Sequence, residues 1–307
     1  MTVQTPTDRK QQPLVAIIIL TCNQKEVTLR CLESFARCTY GGKKIALVDN
    51  GSSDNVLDEV AARFPEVECL RNEHNLGAAA GRNTGIDFAR LHWDFEYILF
   101  IDNDTTVTPP FLDELVSALQ GYREQGVEIA SPKVYVMGGD RVIDSAGGAM
   151  INYLTASTQS RGAGEIDQGQ YDRDLFSGSV PTTVCVILHR KALDRADRFD
   201  VSFDPYGYED LDMILRARGE NGRFLFVPRS IIYHKGSRTG FGGYTGDYTS
   251  VKAKNMKRFF KRHSAPWQWV CFNMLLPFLG LRTLARELKK GNIGAVKGLI
   301  KGYLGKK

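Results

Sequence analysis

A chain of 307 residues, 43% hydrophobic and 24% charged, can bury roughly 75% of the surface it exposes when unfolded. That excludes a largely disordered protein and leaves one large domain or two intimate halves. The net charge of +5 hides an asymmetry: residues 252–307 hold 14 Lys or Arg and one acid, giving +13, while the first 251 residues hold 26 bases and 34 acids, giving −8. The basic tail suits an anionic membrane surface or nucleic acid, whereas the acidic body speaks against a nucleic-acid groove in the main domain.

The six cysteines form no C-x-x-C pair and show no metal-ligand spacing, so they read as reduced thiols. Residues 1–12 are polar and contain no apolar signal region, and the expected location is cytoplasmic.

Val15 to Leu20 reads as a buried strand, followed by a helix over Glu26 to Phe35 that Gly41-Gly42 is expected to end. Ile45 to Val48 is a second strand, Val56 to Phe64 a second helix stopping before Pro65, and Val67 to Arg71 a third strand. This alternation predicts a parallel sheet with right-handed crossovers. Asn75 to Asn83 opens the next helix with almost no side-chain bulk. Two readings stand: a phosphate approaching the helix amides, with Arg82 adding charge, or close packing of glycine and alanine on the sheet. No dinucleotide-binding glycine motif and no P-loop occur.

Tyr97 to Ile101 reads as a strand buried on both faces, ending in Asp102-Asn103-Asp104. Two carboxylates one residue apart at the carboxyl end of such a strand suit a divalent cation that also holds phosphates, or simply form a polar turn. A helix follows over Pro109 to Leu119, a strand lies within Val127 to Val136, and Asp140 to Asp174 reads as a surface excursion containing a hairpin. Val184 to Leu188 is a further strand. In Tyr208-Glu209-Asp210-Leu211-Asp212 the apolar spacing puts Glu209 and Asp210 in a first helical turn, where the dipole favours acids and keeps a base ionised. His234 follows a strand, and the glycine-rich stretch after it, with Lys235 and Arg238, reads as a flap over an anion or as a plain loop.

The order of these motifs resembles the inverting nucleotide-sugar glycosyltransferases of family 2, with the GT-A fold, and especially their rhamnosyltransferase-like branch. The landmarks are Ile17 to Asn23, Val48 to Asp54, Asn75-Leu76-Gly77 through Gly85, Asp102-Asn103-Asp104, Tyr208 to Asp212 with Arg216, Val227-Pro228 to His234, and Lys254 to His263. The resemblance implies an α/β fold, a mostly parallel Rossmann-like sheet flanked by helices. It implies donor contacts at Thr21, Asn23, Asp49, Arg82, Asp102 and Arg238. It further implies Mg²⁺ or Mn²⁺ held by Asp102, Asp104 and His234, with Asp210 as the base and Glu209 as the next candidate. Cys22 departs from the usual tyrosine, and Pro181 to Cys185 from the usual Gly-Ala pair near the donor sugar.

The expected activity is transfer of a sugar from a UDP- or dTDP-sugar to a glycan or lipid-linked acceptor in surface polysaccharide synthesis. The alternative is a catalytically silent, membrane-bound nucleotide-sugar-binding protein. The expected organisation is a polar segment at 1–13, a catalytic domain at 14–250, with a nucleotide half at 14–104 and an acceptor half at 105–250, and a basic amphipathic helical tail at 251–307. Within the tail, Pro266 to Leu281 is apolar but too short to span a bilayer. It is expected to lie in the headgroup region of an anionic membrane's inner face, or else to pack on the domain or on a second copy in a homo-oligomer.

Overall fold

The computed structural model describes residues 12–220, 222–236, 246–289 and 293–304. In chain order the elements are β1 (Val15–Thr21), α1 (Lys25–Ala36), β2 (Lys43–Asn50), α2 (Val56–Arg63), β3 (Val67–Asn72), α3 (Ala78–His92), β4 (Tyr97–Asp102), β5 (Thr105–Val107), α4 (Phe111–Gly121) and β6 (Val127–Val136). There follow β7 (Ile143–Ala146), β8 (Ala149–Asn152), β9 (Ser157–Ser160), β10 (Cys185–His189), α5 (Arg190–Ala196), α6 (Glu209–Arg218), β11 (Arg223–His234), α7 (Gly246–His263), α8 (Pro266–Lys289) and α9 (Ile293–Leu304).

The main sheet runs β3-β2-β1-β4-β10-β6-β11-β5, with β7 added beside the far end of β6. β3, β2, β1 and β4 are mutually parallel, whereas β10 runs antiparallel to both its neighbours. Alternation along β1 explains the double-sided burial. Val15, Ile17 and Ile19 pack with α1, α2 and α4, while Ala16 and Ile18 face α3, α5, α6 and Phe259, Phe260 and Phe272 of α7 and α8.

Register places the polar strand ends together. Thr21 pairs with Asp49 across β1 and β2, and Leu20 with Asp102 across β1 and β4. β5 is only three residues long, but it pairs with β11 so that Thr105 faces His234, and Lys235 N–H donates to the Asp104 carbonyl at 2.9 Å. That pairing returns a strand from the far end of the sequence to the acidic turn.

Some expectations need correction. α1 ends at Ala36, well before Gly41-Gly42. Residues 140–174 do contain the β8–β9 hairpin, yet they are not merely a surface excursion. Ile143, Ala146 and Ala149 are buried, and buried Asp167 accepts from Lys133 Nζ at 2.8 Å and from Tyr135. The alternation of apolar residues is too short there to announce a strand, and the ion pair is hidden in a polar stretch. α7 starts at Gly246 and continues through the position where the sequence suggests a tail beginning.

Candidate active site

Asp102 and Asp104 leave the carboxyl end of β4, and Asn103 between them turns inward. Its Nδ2 donates to Thr28 Oγ1 at 2.9 Å and to Thr21 Oγ1 and Gln24 Oε1 at 3.2 Å. The amide fixes the turn against the β1–α1 loop and so aims its two neighbours outward. Asp102, Asp104 and His234 each offer a ligand atom, all within 4.8 Å of one another. A histidine nitrogen with two carboxylate oxygens is a donor set that suits Mn²⁺ or Mg²⁺.

His234 is oriented from behind. Its Nε2 lies 3.2 Å from Asp104 Oδ1 and its Nδ1 2.9 Å from Asp144 Oδ2. Burial alone would lower the imidazole's affinity for a proton, but these carboxylates outweigh it and raise the pKa to about 10. Asp144, in β7, is a functional candidate that sequence reasoning missed: it is remote in the chain, and only the β6–β7 pairing brings it in. A carboxylate on the far nitrogen is the usual means of fixing a metal-binding imidazole.

The second acidic cluster opens α6. Glu209, Asp210 and Asp212 fall in its first turn. Asp210 Oδ1 accepts from Leu211 N–H at 2.8 Å, and burial pushes its pKa up. Glu209 is buried, and its pKa is raised first by desolvation and then by the charge of Asp210. Its Oε2 has no hydrogen-bond partner among the described residues.

Arg82 joins the two clusters. From α3 its Nη2 reaches Asp102 Oδ1 at 2.9 Å and its Nη1 reaches Glu209 Oε1 at 3.3 Å. Burial opposes its charge, but Asp102, Glu209 and Asp210 together raise its pKa above the ordinary value. The guanidinium thus holds the end of β4 and the start of α6 at one place.

The small residues that open α3 are explained by packing. A Cβ at Gly85 would stand 2.5 Å from Ile18 Cγ2. The helix amides are already occupied: Asp204 accepts from Ala79 N–H at 2.8 Å and Ala80 N–H at 3.1 Å, and Ala78 N–H donates to the Pro205 carbonyl. The phosphate approach considered from sequence is therefore closed by the protein's own carboxylate. No local pattern could reveal a cap supplied from 125 residues away.

At the β1–β2 end, Thr21 is buried and shares a 2.8 Å hydrogen bond with Thr28 Oγ1. Asn23, with φ 53°, accepts from Ser53 N–H at 2.8 Å and its own N–H donates to Ser52 Oγ, stitching two loops. Asp49 differs. Its Oδ1 accepts from Ser52 N–H, but its buried Oδ2 lacks a hydrogen-bond partner among the described residues, with Arg71 Nη1 3.5 Å away. A buried acceptor left open beside a loop edge suits a ligand N–H. Arg238 and the rest of residues 237–245, read from sequence as a flap or a plain loop, lie outside the described residues.

The putative glycosyltransferase EpsH of Bacillus subtilis is 29% identical over 256 residues, covering 82% of this chain and 66% of that protein. Glycosyltransferase GlyG of Streptococcus pneumoniae is 30% identical over 110 residues, only 35% of either chain, so this match spans about a third of that relative's length. Among solved structures, the mannosyltransferase PcManGT of Pyrobaculum calidifontis, in complex with GDP-Man and Mn²⁺, aligns with TM-score 0.56 at 16% identity, covering 97% of this chain and 77% of its own. GalNAc-T7 with UDP, GalNAc and Mn²⁺ aligns with TM-score 0.64 at 17% identity, covering 95% and 54%. These likenesses establish the fold, a mixed α/β GT-A arrangement. The family model described as glycosyl transferase family 2 matches residues 16–195, and the chain belongs to glycosyl transferase family 2.

Proposed function

We propose that the protein is an inverting glycosyltransferase that moves a hexosyl or rhamnosyl group from a UDP- or dTDP-sugar to a hydroxyl of a glycan or lipid-linked acceptor, in surface polysaccharide synthesis. The observation that carries this reading is the bridge by which Arg82 holds Asp102 and Glu209 together. A cation-type cluster and a carboxylate pair at a helix start are thereby two sides of one site.

In this reading Asp49 accepts a hydrogen bond from the nucleobase through its open Oδ2, and Asp102, Asp104 and His234 hold Mg²⁺ or Mn²⁺. The ion supplies charge stabilisation for the departing diphosphate. Asp210 removes the proton from the acceptor hydroxyl as its oxygen forms a bond to the anomeric carbon. The bond from that carbon to the diphosphate oxygen breaks on the opposite face, which inverts the configuration. Glu209 and Arg82 set the local charge and position around Asp210.

In this reading a nucleotide half runs to residue 104 and an acceptor half to about residue 250, and the basic tail, whose first helix α7 already starts at Gly246, docks on the cytoplasmic face of an anionic membrane. What supports the docking is α8, whose Phe272 is buried against the domain while Trp267, Val270, Met274, Phe278 and Leu281 are 57–71% exposed. Among the described residues no helix is long and apolar enough to cross a membrane.

The test is a panel of nucleotide sugars, each with Mn²⁺, Mg²⁺ or chelator, read by thermal unfolding and then by transfer to candidate acceptors. A cognate donor at 100 times its Kd should stabilise by about 2.7 kcal/mol, and only with metal present. A panel in which every donor gives the same shift with and without chelator would count against the metal-held diphosphate.

A further inference from the structure

We infer that Asn255, in α7, is a positioning residue for Asp210; the inference rests on the reading of Asp210 as the base. The chain enters α6 through two consecutive residues with positive φ, Gly207 at 95° and Tyr208 at 72°. Glycine adopts this conformation freely, but Tyr208 persists in it only where its surroundings fix it. What fixes it upstream is a clamp with two jaws. On one side the Asp204 carboxylate is held by the Ala79 and Ala80 amides of α3. On the other, the buried Asn255 amide donates through Nδ2 to the Phe203 carbonyl and, at 2.9 Å, to the Tyr206 carbonyl.

Asn255 is itself held from behind. Its Oδ1 accepts from Arg258 Nη1 at 3.2 Å, and the same nitrogen donates to the Ser202 carbonyl. The helix is seated by buried Phe259 and Phe260 and by Arg262 and His263, both 2.8 Å from Asp212 Oδ1. The two bonds of Asn255 therefore act mainly on the path of residues 203–206, which delivers the chain to the turn before Asp210. A base displaced by even about 1 Å can lose on the order of 100-fold in rate.

The full-length chain would carry Asn255→Leu, which fills the space without donating, and Asn255→Ser, which keeps a hydroxyl donor. With a cognate donor and acceptor, Asn255→Leu should lower kcat by about 10- to 50-fold, with donor KM within about twofold of wild type. Asn255→Ser should recover part of that loss. Hydrogen exchange should quicken at residues 206–211 in Asn255→Leu and stay unchanged at residues 97–102. If Asn255→Leu does not fold, the same exchange comparison in Asn255→Ser decides. A folded Asn255→Leu with wild-type kcat would overturn the inference, as would a loss carried by donor KM or exchange that quickens equally in both segments. Failure of the base reading is separate: wild-type turnover by Asp210→Asn would remove it, while the exchange comparison would still report whether Asn255 fixes the loop.

Discussion

Arg82, between Asp102 and Glu209, converts two separate acidic motifs into one electrostatic unit, and this sets what single substitutions should do. Replacing Asp210 by Asn removes a proton acceptor without removing the Leu211 amide's partner, because the side-chain oxygen remains. Turnover should fall by on the order of 10² to 10⁴, with donor affinity unchanged in a binding titration. Asp144→Ala should act differently, since it releases His234 Nδ1 without touching either acidic turn. Loss of such an outer carboxylate weakens metal affinity by roughly 10- to 100-fold, so the variant should recover activity at raised Mn²⁺, whereas Asp210→Asn should not. The contrast also shows what could be read from sequence. Asp102, Asp104, Glu209 and Asp210 announce themselves by local pattern, an apolar run ending in acids or acids opening an amphipathic turn. Asp144 and Asp204 carry no such pattern, because each acts on residues 90 or more positions away.

Among the elements, strands with unbroken apolar runs were legible, and those made by pairing alone were not. β1, β2 and β4 are buried along nearly their whole length, so composition suffices. β5 has three residues and β7 four, and only the partner strand makes them strands. The contact between α6 and α7 was hidden for the same reason. Asp212, fully buried, faces Arg216 Nε, Arg262 Nη1 and His263 Nε2, each at 2.8 Å. Burial would raise its pKa, but the three donors outweigh it and hold the carboxyl down at about 2. A pKa depressed in the folded state means that the unfolded chain binds the proton more readily. The stabilisation is then full above the unfolded value of about 3.9 and is lost as pH falls toward 2. Asp212→Asn should therefore destabilise at neutral pH by about 3–5 kcal/mol, as breaking a buried pair does. In denaturant titrations the gap between variant and wild type should narrow between about pH 4 and pH 2; a gap independent of pH would assign the cost to packing instead.

At the scale of the whole molecule, the basic tail is built as a layer with one face committed and one open. α9 lies so close to α7 that a Cβ at Gly298 would come 1.9 Å from the Gly246 carbonyl oxygen, and one at Gly302 would come 2.5 Å from that of Ser250. α8 tucks Phe272 into the core shared with Phe260, and it turns Trp267, Val270, Met274, Phe278 and Leu281 outward. Those positions, spaced by three and four, form one stripe along a helix. A second copy could cover such a stripe, but it would bring two tails of charge +13 together, and like charges repel. An anionic bilayer, the partner proposed above, would meet both the stripe and the charge. Large side chains withdrawn from water contribute about 1.5–3 kcal/mol each when fully buried, and each nearby Lys or Arg adds about 1 kcal/mol that salt can screen. The full chain should therefore sediment with vesicles containing phosphatidylserine at low salt, and high salt should release only part of it. The triple variant Trp267→Ser, Phe278→Ser and Leu281→Ser changes exposed positions alone, so it should keep the wild-type unfolding temperature. Its remaining binding should be almost entirely salt-labile. Wild-type protein that stays in the supernatant at low salt, or a concentration-dependent dimer abolished by the same three changes, would transfer the stripe from the membrane to a second copy of the chain.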